Sequence, residues 1–204
     1  MNYLILALAW SGCCALHSAT ISERVVRVLK RRLGVLFRYY RLFFNLVALA
    51  TFVPVALYTQ SVVGEPLFIW RNAGLEPVRY ALIACAVLLF VAGARHYSLK
   101  QFIGISQLCG ASSGGLAEGG GIDATGVLSL VRHPWYTGVL LLLWAQDLDG
   151  PRVVVSSVLT AYVFVGTLLE ERKLVHEFGD PYRAYQERVS MFVPLKWVRV
   201  RGRG

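Results

Sequence analysis

Charge is what this 204-residue sequence has least of. Only 16% of its residues are Asp, Glu, Lys or Arg, against 56% hydrophobic, where soluble domains carry roughly 25% charged residues. With a mean hydropathy of +0.53, that shortage excludes an ordinary soluble core and points to an integral membrane protein. Acids are scarcer still, 12 against 21 Lys and Arg, for a net charge of +9. The surplus does not make a nucleic-acid footprint. The basic residues sit just outside apolar runs, where they set orientation in a bilayer, and no basic patch interleaved with aromatics is present. Cysteine is sparse and unpatterned. Cys13, Cys14, Cys85 and Cys109 include no Cys-x-x-Cys pair or zinc spacing, so they read as small apolar packing residues, and no metal site is expected. Met1-Asn2-Tyr3 lacks the positive side chain of a secretory leader, so the first apolar run is read as a membrane helix.

The expected fold is all-α and membrane-embedded, with about five spans in a single membrane domain. Leu4 to about Leu16 is the first span. Leu42 to Val63 is the second, with Pro54 inside it, and Val78 to Ala94 the third. Three N-terminal spans thus fill residues 1–95. Residues 96–125 form a loop, Gly-rich from Gly110 to Gly121 and without a phosphate-cradle sequence. Residues 126–194 form a hairpin and tail. Its first helix is expected from Pro134 to about Gln146 and its second from Arg152 to about His176. At 1.5 Å per residue the two arms rise about 24 Å and about 31 Å, so His133 and Glu171 return to one face. The segment Glu23–Arg41 is basic, and Arg172, Lys173, Arg183, Arg188, Lys196, Arg199, Arg201 and Arg203 follow the last span. Both stretches and the Gly-rich loop are therefore placed in the cytoplasm, with Glu65–Pro77 and the N-terminus outside; a phospholipid-facing amphipathic loop at the basic segment suits the same placement.

The hairpin ends hold the ionisable groups. Arg132-His133-Pro134-Trp135-Tyr136 opens the first arm and Glu170-Glu171 closes the second. Charges at such depth are costly and usually functional. A helix N-terminus and the Arg132 fork suit a carboxylate, Glu170 and Glu171 suit an ammonium, and Trp135, Tyr136, Tyr182 and Tyr185 offer flat faces to a ring. S-adenosylmethionine carries all three groups. Each part also has a structural explanation: a snorkelling Arg, an interfacial tyrosine belt, local ion pairs.

Arg132-His133-Pro134-x-Tyr136-x-Gly138, an apolar hairpin, then Glu170-Glu171-x-x-Leu174, Phe178-Gly179, Tyr182, Tyr185 and Val193-Pro194 resemble the isoprenylcysteine carboxyl methyltransferase superfamily over about the last third of the chain. Leu16-His17-Ser18 and Arg38-Tyr39-Tyr40-Arg41-Leu42-Phe43-Phe44-Asn45-Leu46 resemble its NnrU and methanethiol S-methyltransferase branch. The resemblance implies a methyltransferase of the bacterial inner membrane whose site faces the cytoplasm. S-adenosylmethionine would be bound by Arg132, His133, Pro134, Tyr136, Glu170, Glu171, Tyr182 and Tyr185. His133, His176 and Glu170 are candidate proton acceptors, and Arg188 or Arg183 a candidate for orienting the acceptor. That acceptor is a small thiol, or a lipid or prenylcysteine reached from the bilayer. Two rivals stand beside this reading. One is an NnrU-like haem-binding isomerase, with His17, His96, His133 or His176 as axial ligands; the other is a non-catalytic membrane protein.

Overall fold

Runs of Leu, Val, Ala and Ile without β-favouring alternation become helices, and helices dominate the computed structural model, which describes residues 2–95, 122 and 124–197. They are α1 (Asn2–Ile21), α2 (Glu23–Leu33), α3 (Tyr40–Ser61), α4 (Glu76–Ala94), α5 (Pro134–Trp144), α6 (Gly150–Phe178) and α7 (Asp180–Arg188). Short 3₁₀ turns cover Gly34–Tyr39 and Gly126–Ser129, and a small strand pair joins β1 (Pro66–Phe68) to β2 (Leu148–Asp149). Most of the 96–125 loop, with His96, Cys109 and the Gly-rich run, lies outside the described residues, as do Arg199, Arg201 and Arg203.

The all-α membrane architecture is as expected. Among the described residues, four helical stretches are long and apolar enough to cross a bilayer: Asn2–Ile21, Glu23–Ser61, Glu76–Ala94 and Gly150–Phe178. α5 differs from the expected full span, being only 11 residues long, about 16 Å against about 30 Å of hydrocarbon. It stops early because the residues after it are committed elsewhere. The Gln146 carbonyl accepts from the Trp70 indole at 3.1 Å, and the Asp147 carboxylate takes the Trp70 amide at 3.0 Å and Arg79 at 3.2 Å. The basic segment, expected as a loop, is largely the helix α2, capped by the Ser22 hydroxyl.

Packing divides the described residues into two compact units, 2–67 with 148–159, and 68–95 with 122, 124–147 and 160–197. In the first, Leu6, Trp10 and Val155 form a buried cluster backed by Val55, Ala56 and Tyr58. The Trp10 indole donates to the Thr59 hydroxyl at 2.9 Å, which satisfies the one polar atom that this ring brings inside. In the second, α4 and α5 approach closely at glycines. A Cβ on Gly93 would lie 2.3 Å from the Trp135 indole nitrogen, and one on Gly138 would lie 3.0 Å from the Phe90 ring. That indole donates to the Phe90 carbonyl at 3.1 Å. Two further clusters complete this unit: Val127, Leu128 and Val131 against Leu89 and Ala92, and Tyr182, Tyr185 and Val189 against Leu174, Val175 and Phe178.

Candidate functional site

The site lies within the second unit, where three segments meet: the entry to α5, the last turns of α6, and α7 with the tail behind it. The 3₁₀ turn Gly126–Ser129 delivers Arg132 and His133 to the start of α5, with Pro134 at its first turn, where a missing N–H costs nothing. The tail then lies along these residues. The Arg132 amide donates to the Ser190 carbonyl at 2.9 Å and the His133 amide to Met191 at 3.2 Å, a parallel bridge with Val131 opposite Ser190. The Thr137 hydroxyl donates to Phe192 at 3.2 Å. Gly179, with φ +63°, makes the turn from α6 into α7 that brings Tyr182 and Gln186 back.

Glu171 is the centre. Arg132 meets it bidentately, Nε to Oε1 at 2.6 Å and Nη2 to Oε2 at 2.8 Å. His133 Nε2 lies 3.0 Å from Oε1, the Gln186 side-chain amide donates to Oε2 at 2.8 Å, and the Tyr182 hydroxyl is 3.5 Å from Oε1. The other Arg132 nitrogen, Nη1, donates to the Gln186 carbonyl at 3.2 Å and to the Val189 carbonyl. Arg132, His133 and Glu171 are 8%, 6% and 6% exposed. Charges so withdrawn from water are tolerated only when paired and fully hydrogen-bonded, and here both carboxylate oxygens and the guanidinium fork are engaged. A carboxylate only accepts, so His133 donates from Nε2, and in the neutral ring Nδ1 is the lone-pair nitrogen. That nitrogen faces Glu170, 3.9 Å away, whose side chain is 38% exposed. Tyr136 stacks on the imidazole, centroids 5.4 Å apart and planes within 6°. Burial, with the nearby Glu171 carboxylate adding to it, pushes the Tyr182 phenol up, so it stays a hydrogen-bond donor.

The structure thus brings together Arg132, His133, Pro134, Tyr136, Glu170, Glu171 and Tyr182. Tyr185 stands one layer behind, packed edge-on against Tyr182 and donating to the Leu128 carbonyl at 2.6 Å. Arg188 is not brought in; it is exposed, and its Nε bonds the Ala184 carbonyl of its own helix. The sequence reading missed Gln186 and Lys196. Gln186 follows Tyr182 by four residues and so shares its helix face, a signal that was available. Lys196 carries none: its ammonium reaches the Gln186 carbonyl at 2.6 Å only because the tail turns back. Next to Glu171 lies a cavity of about 280 Å³, lined by Leu168, Glu171, Arg172, Val175 and Gln186.

Membrane-length helices, and a buried Arg–Glu–His centre at the ends of a C-terminal hairpin, define an all-α integral membrane protein. The chain belongs to the NnrU protein family, whose profile matches residues 4–200. It is similar to methanethiol S-methyltransferase 2 of Bradyrhizobium diazoefficiens, 31% identical over 140 residues, 67% of this chain and 53% of that protein. It is also similar to the methanethiol S-methyltransferase of a Pseudomonas species, 33% identical over 111 residues, 54% of this chain and 42% of the relative. Methanethiol S-methyltransferase 1 of B. diazoefficiens is 46% identical over 67 residues, 32% and 24% of the two chains. The matched region therefore spans between a quarter and about half of these relatives. No solved structure matches the chain.

Proposed function

We propose that this protein is an S-adenosylmethionine-dependent membrane methyltransferase whose acceptor is a small thiol, working at the cytoplasmic face. The observation that carries the reading is the division of labour between the paired acids. Glu171 is saturated by Arg132, His133 and Gln186, whereas Glu170 keeps its carboxylate half-exposed beside His133. A half-exposed acid, the first turn of α5 and the Tyr136 ring are the set of groups that an ammonium, a carboxylate and an adenine require. These residues fit the cofactor. Glu170 would hold its ammonium, the start of α5 its carboxylate, and Tyr136 its ring; when bound it supplies an activated methyl group on sulfonium.

The chain's own chemistry is orientation and proton removal. Glu171 fixes the His133 ring through Nε2, as an orienting carboxylate does for a general base, and leaves Nδ1 free to take the proton of a thiol. Placement of the reactants supplies most of the rate, since oriented reactions can gain roughly 7–11 kcal/mol. The relatives' names support a compact acceptor over a prenylated one. Calorimetric titration of the purified protein with S-adenosylmethionine and its demethylated product tests the donor. Labelled methyl transfer to methanethiol, a prenylcysteine analogue and phosphatidylethanolamine, in separate reactions, tests the acceptor. No binding of the donor would overturn the whole reading. Transfer only to the prenylcysteine or the lipid would overturn the thiol alone.

A further inference from the structure

The connection between α1 and α3 leaves and returns at one place. The Tyr40 hydroxyl, at the start of α3, donates to the Thr20 carbonyl at the end of α1. Everything between them is an excursion from a single face of two membrane-length helices. α2 accounts for about 16 Å of it. Gly34, with φ +50°, breaks the helix, and six residues of 3₁₀ turn, about 12 Å at their steeper rise, bring it back.

α2, of sequence ERVVRVLKRRL, is sharply two-sided. At 100° per residue Val25, Val26, Leu29 and Leu33 fall in one arc of roughly 100°, and Arg24, Arg27 and Arg31 face away from it, with Arg32 and Lys30 at its two margins and Val28 among the basic residues. Among the described residues the apolar side is only partly covered: Val25, Val26 and Leu29 are half-buried, Leu33 is exposed, and neither α2 nor the 3₁₀ turn contains a buried residue. Val35 and Leu36, at the turn, are 80% and 61% exposed. Such a stripe facing water is a liability. At the end of two spans it meets the acyl boundary instead, with the basic side in the headgroups. The single acid, Glu23, lies 3.7 Å from Arg27 with both side chains more than half exposed, a contact worth little.

We infer that Glu23–Tyr39 is an in-plane element that binds anionic phospholipid, its Val and Leu stripe in the acyl boundary and Arg24, Arg27 and Arg31 on the phosphodiesters. This is a separate property from methyl transfer. The test uses the detergent-solubilised full-length protein, offered phosphatidylglycerol and phosphatidylcholine at equal concentration, with bound lipid counted by native mass spectrometry. The wild type should retain phosphatidylglycerol preferentially. The triple variant Arg24→Gln, Arg27→Gln, Arg31→Gln should lose about fivefold in that preference per residue. The matching Arg→Lys triple should keep it, and so should Arg71→Gln with Arg152→Gln. An unchanged preference in the Gln triple overturns the inference, as does an equal loss in the Lys triple, which would mark a folding defect. Displacement of the lipid by millimolar inorganic phosphate would also overturn it, because the apolar stripe would then contribute nothing.

Discussion

Arg132 and Glu171 hold each other inside the protein, and the consequences are those of a buried pair. Removing one partner strands the other charge, a loss of about 3–5 kcal/mol, whereas replacing both by apolar residues of similar volume is often neutral. Glu171→Gln and Arg132→Met should therefore each lower the thermal unfolding midpoint in detergent by more than the double variant Arg132→Met, Glu171→Leu does. A double variant no more stable than the singles would deny the coupling. Glu170→Gln should act differently. It should leave the midpoint nearly unchanged but weaken S-adenosylmethionine binding about ten- to a hundredfold, the range for one charge-assisted hydrogen bond of about 1.5–3 kcal/mol. A calorimetric affinity equal to wild type would remove Glu170 from the donor site. Tyr182 gives a pH signature. Its phenol is raised by burial, so the folded state keeps a proton that the unfolded chain releases near pH 10. The sign is fixed: this contribution is fully present below about pH 10 and is lost as pH rises beyond it. Wild-type stability minus that of Tyr182→Phe, measured by chemical denaturation, should be flat up to about pH 9.5 and fall above it.

Between elements, the contact of α4 with α5 rests on missing side chains. Gly93 faces the Trp135 indole at a distance no Cβ tolerates, while Gly138 faces the edge of Phe90 and the Ala86 carbonyl. Gly93→Ala should destabilise the protein by about 1–3 kcal/mol, the usual cost of overpacking. Trp135→Phe in that background should recover part of the loss, although it also forfeits the indole bond to the Phe90 carbonyl. Thermal melts of the two variants decide this, and a silent Gly93→Ala would show that the helices part easily. The same close packing explains why a helix of 11 residues can present His133 at a fixed height: α5 is held by its neighbour along its length rather than by its own span.

For the whole molecule, orientation and the tail matter most. A membrane protein of this family that works at the cytoplasmic face needs Asn72 and Arg183 on opposite sides. Cysteines introduced there into a cysteine-free background should label from opposite faces of sealed vesicles, and labelling from the same face would break the proposed topology. The tail closes the site. Ser190, Met191 and Phe192 accept from Arg132, His133 and Thr137, and Val189 accepts from the Arg132 fork. Ending the chain after Arg188 should keep the far-ultraviolet helical signal but abolish S-adenosylmethionine binding, since the buried guanidinium and the His133 amide would lose their partners. Retained binding would show that the tail is dispensable.

Composition and pattern alone determined the class of this protein. Long apolar runs can satisfy their backbone in lipid only as helices, so α1, α3, α4 and α6 were legible within a few residues of their ends, as was the pairing of Arg132-His133 with Glu170-Glu171 across a hairpin. Three things were decided only by tertiary structure, each by contacts distant in sequence. Asp147 and Gln146 cut α5 short, because Trp70 and Arg79 claim their oxygens. Of two adjacent glutamates one became buried and saturated and the other stayed half-exposed, because consecutive residues on a helix point about 100° apart and only one faces Arg132. Gln186 and Lys196 entered the site because the turn at Gly179 and the return of the tail bring them there. Helices follow from local periodicity, but which polar atoms meet inside them depends on how segments far apart in the chain pack.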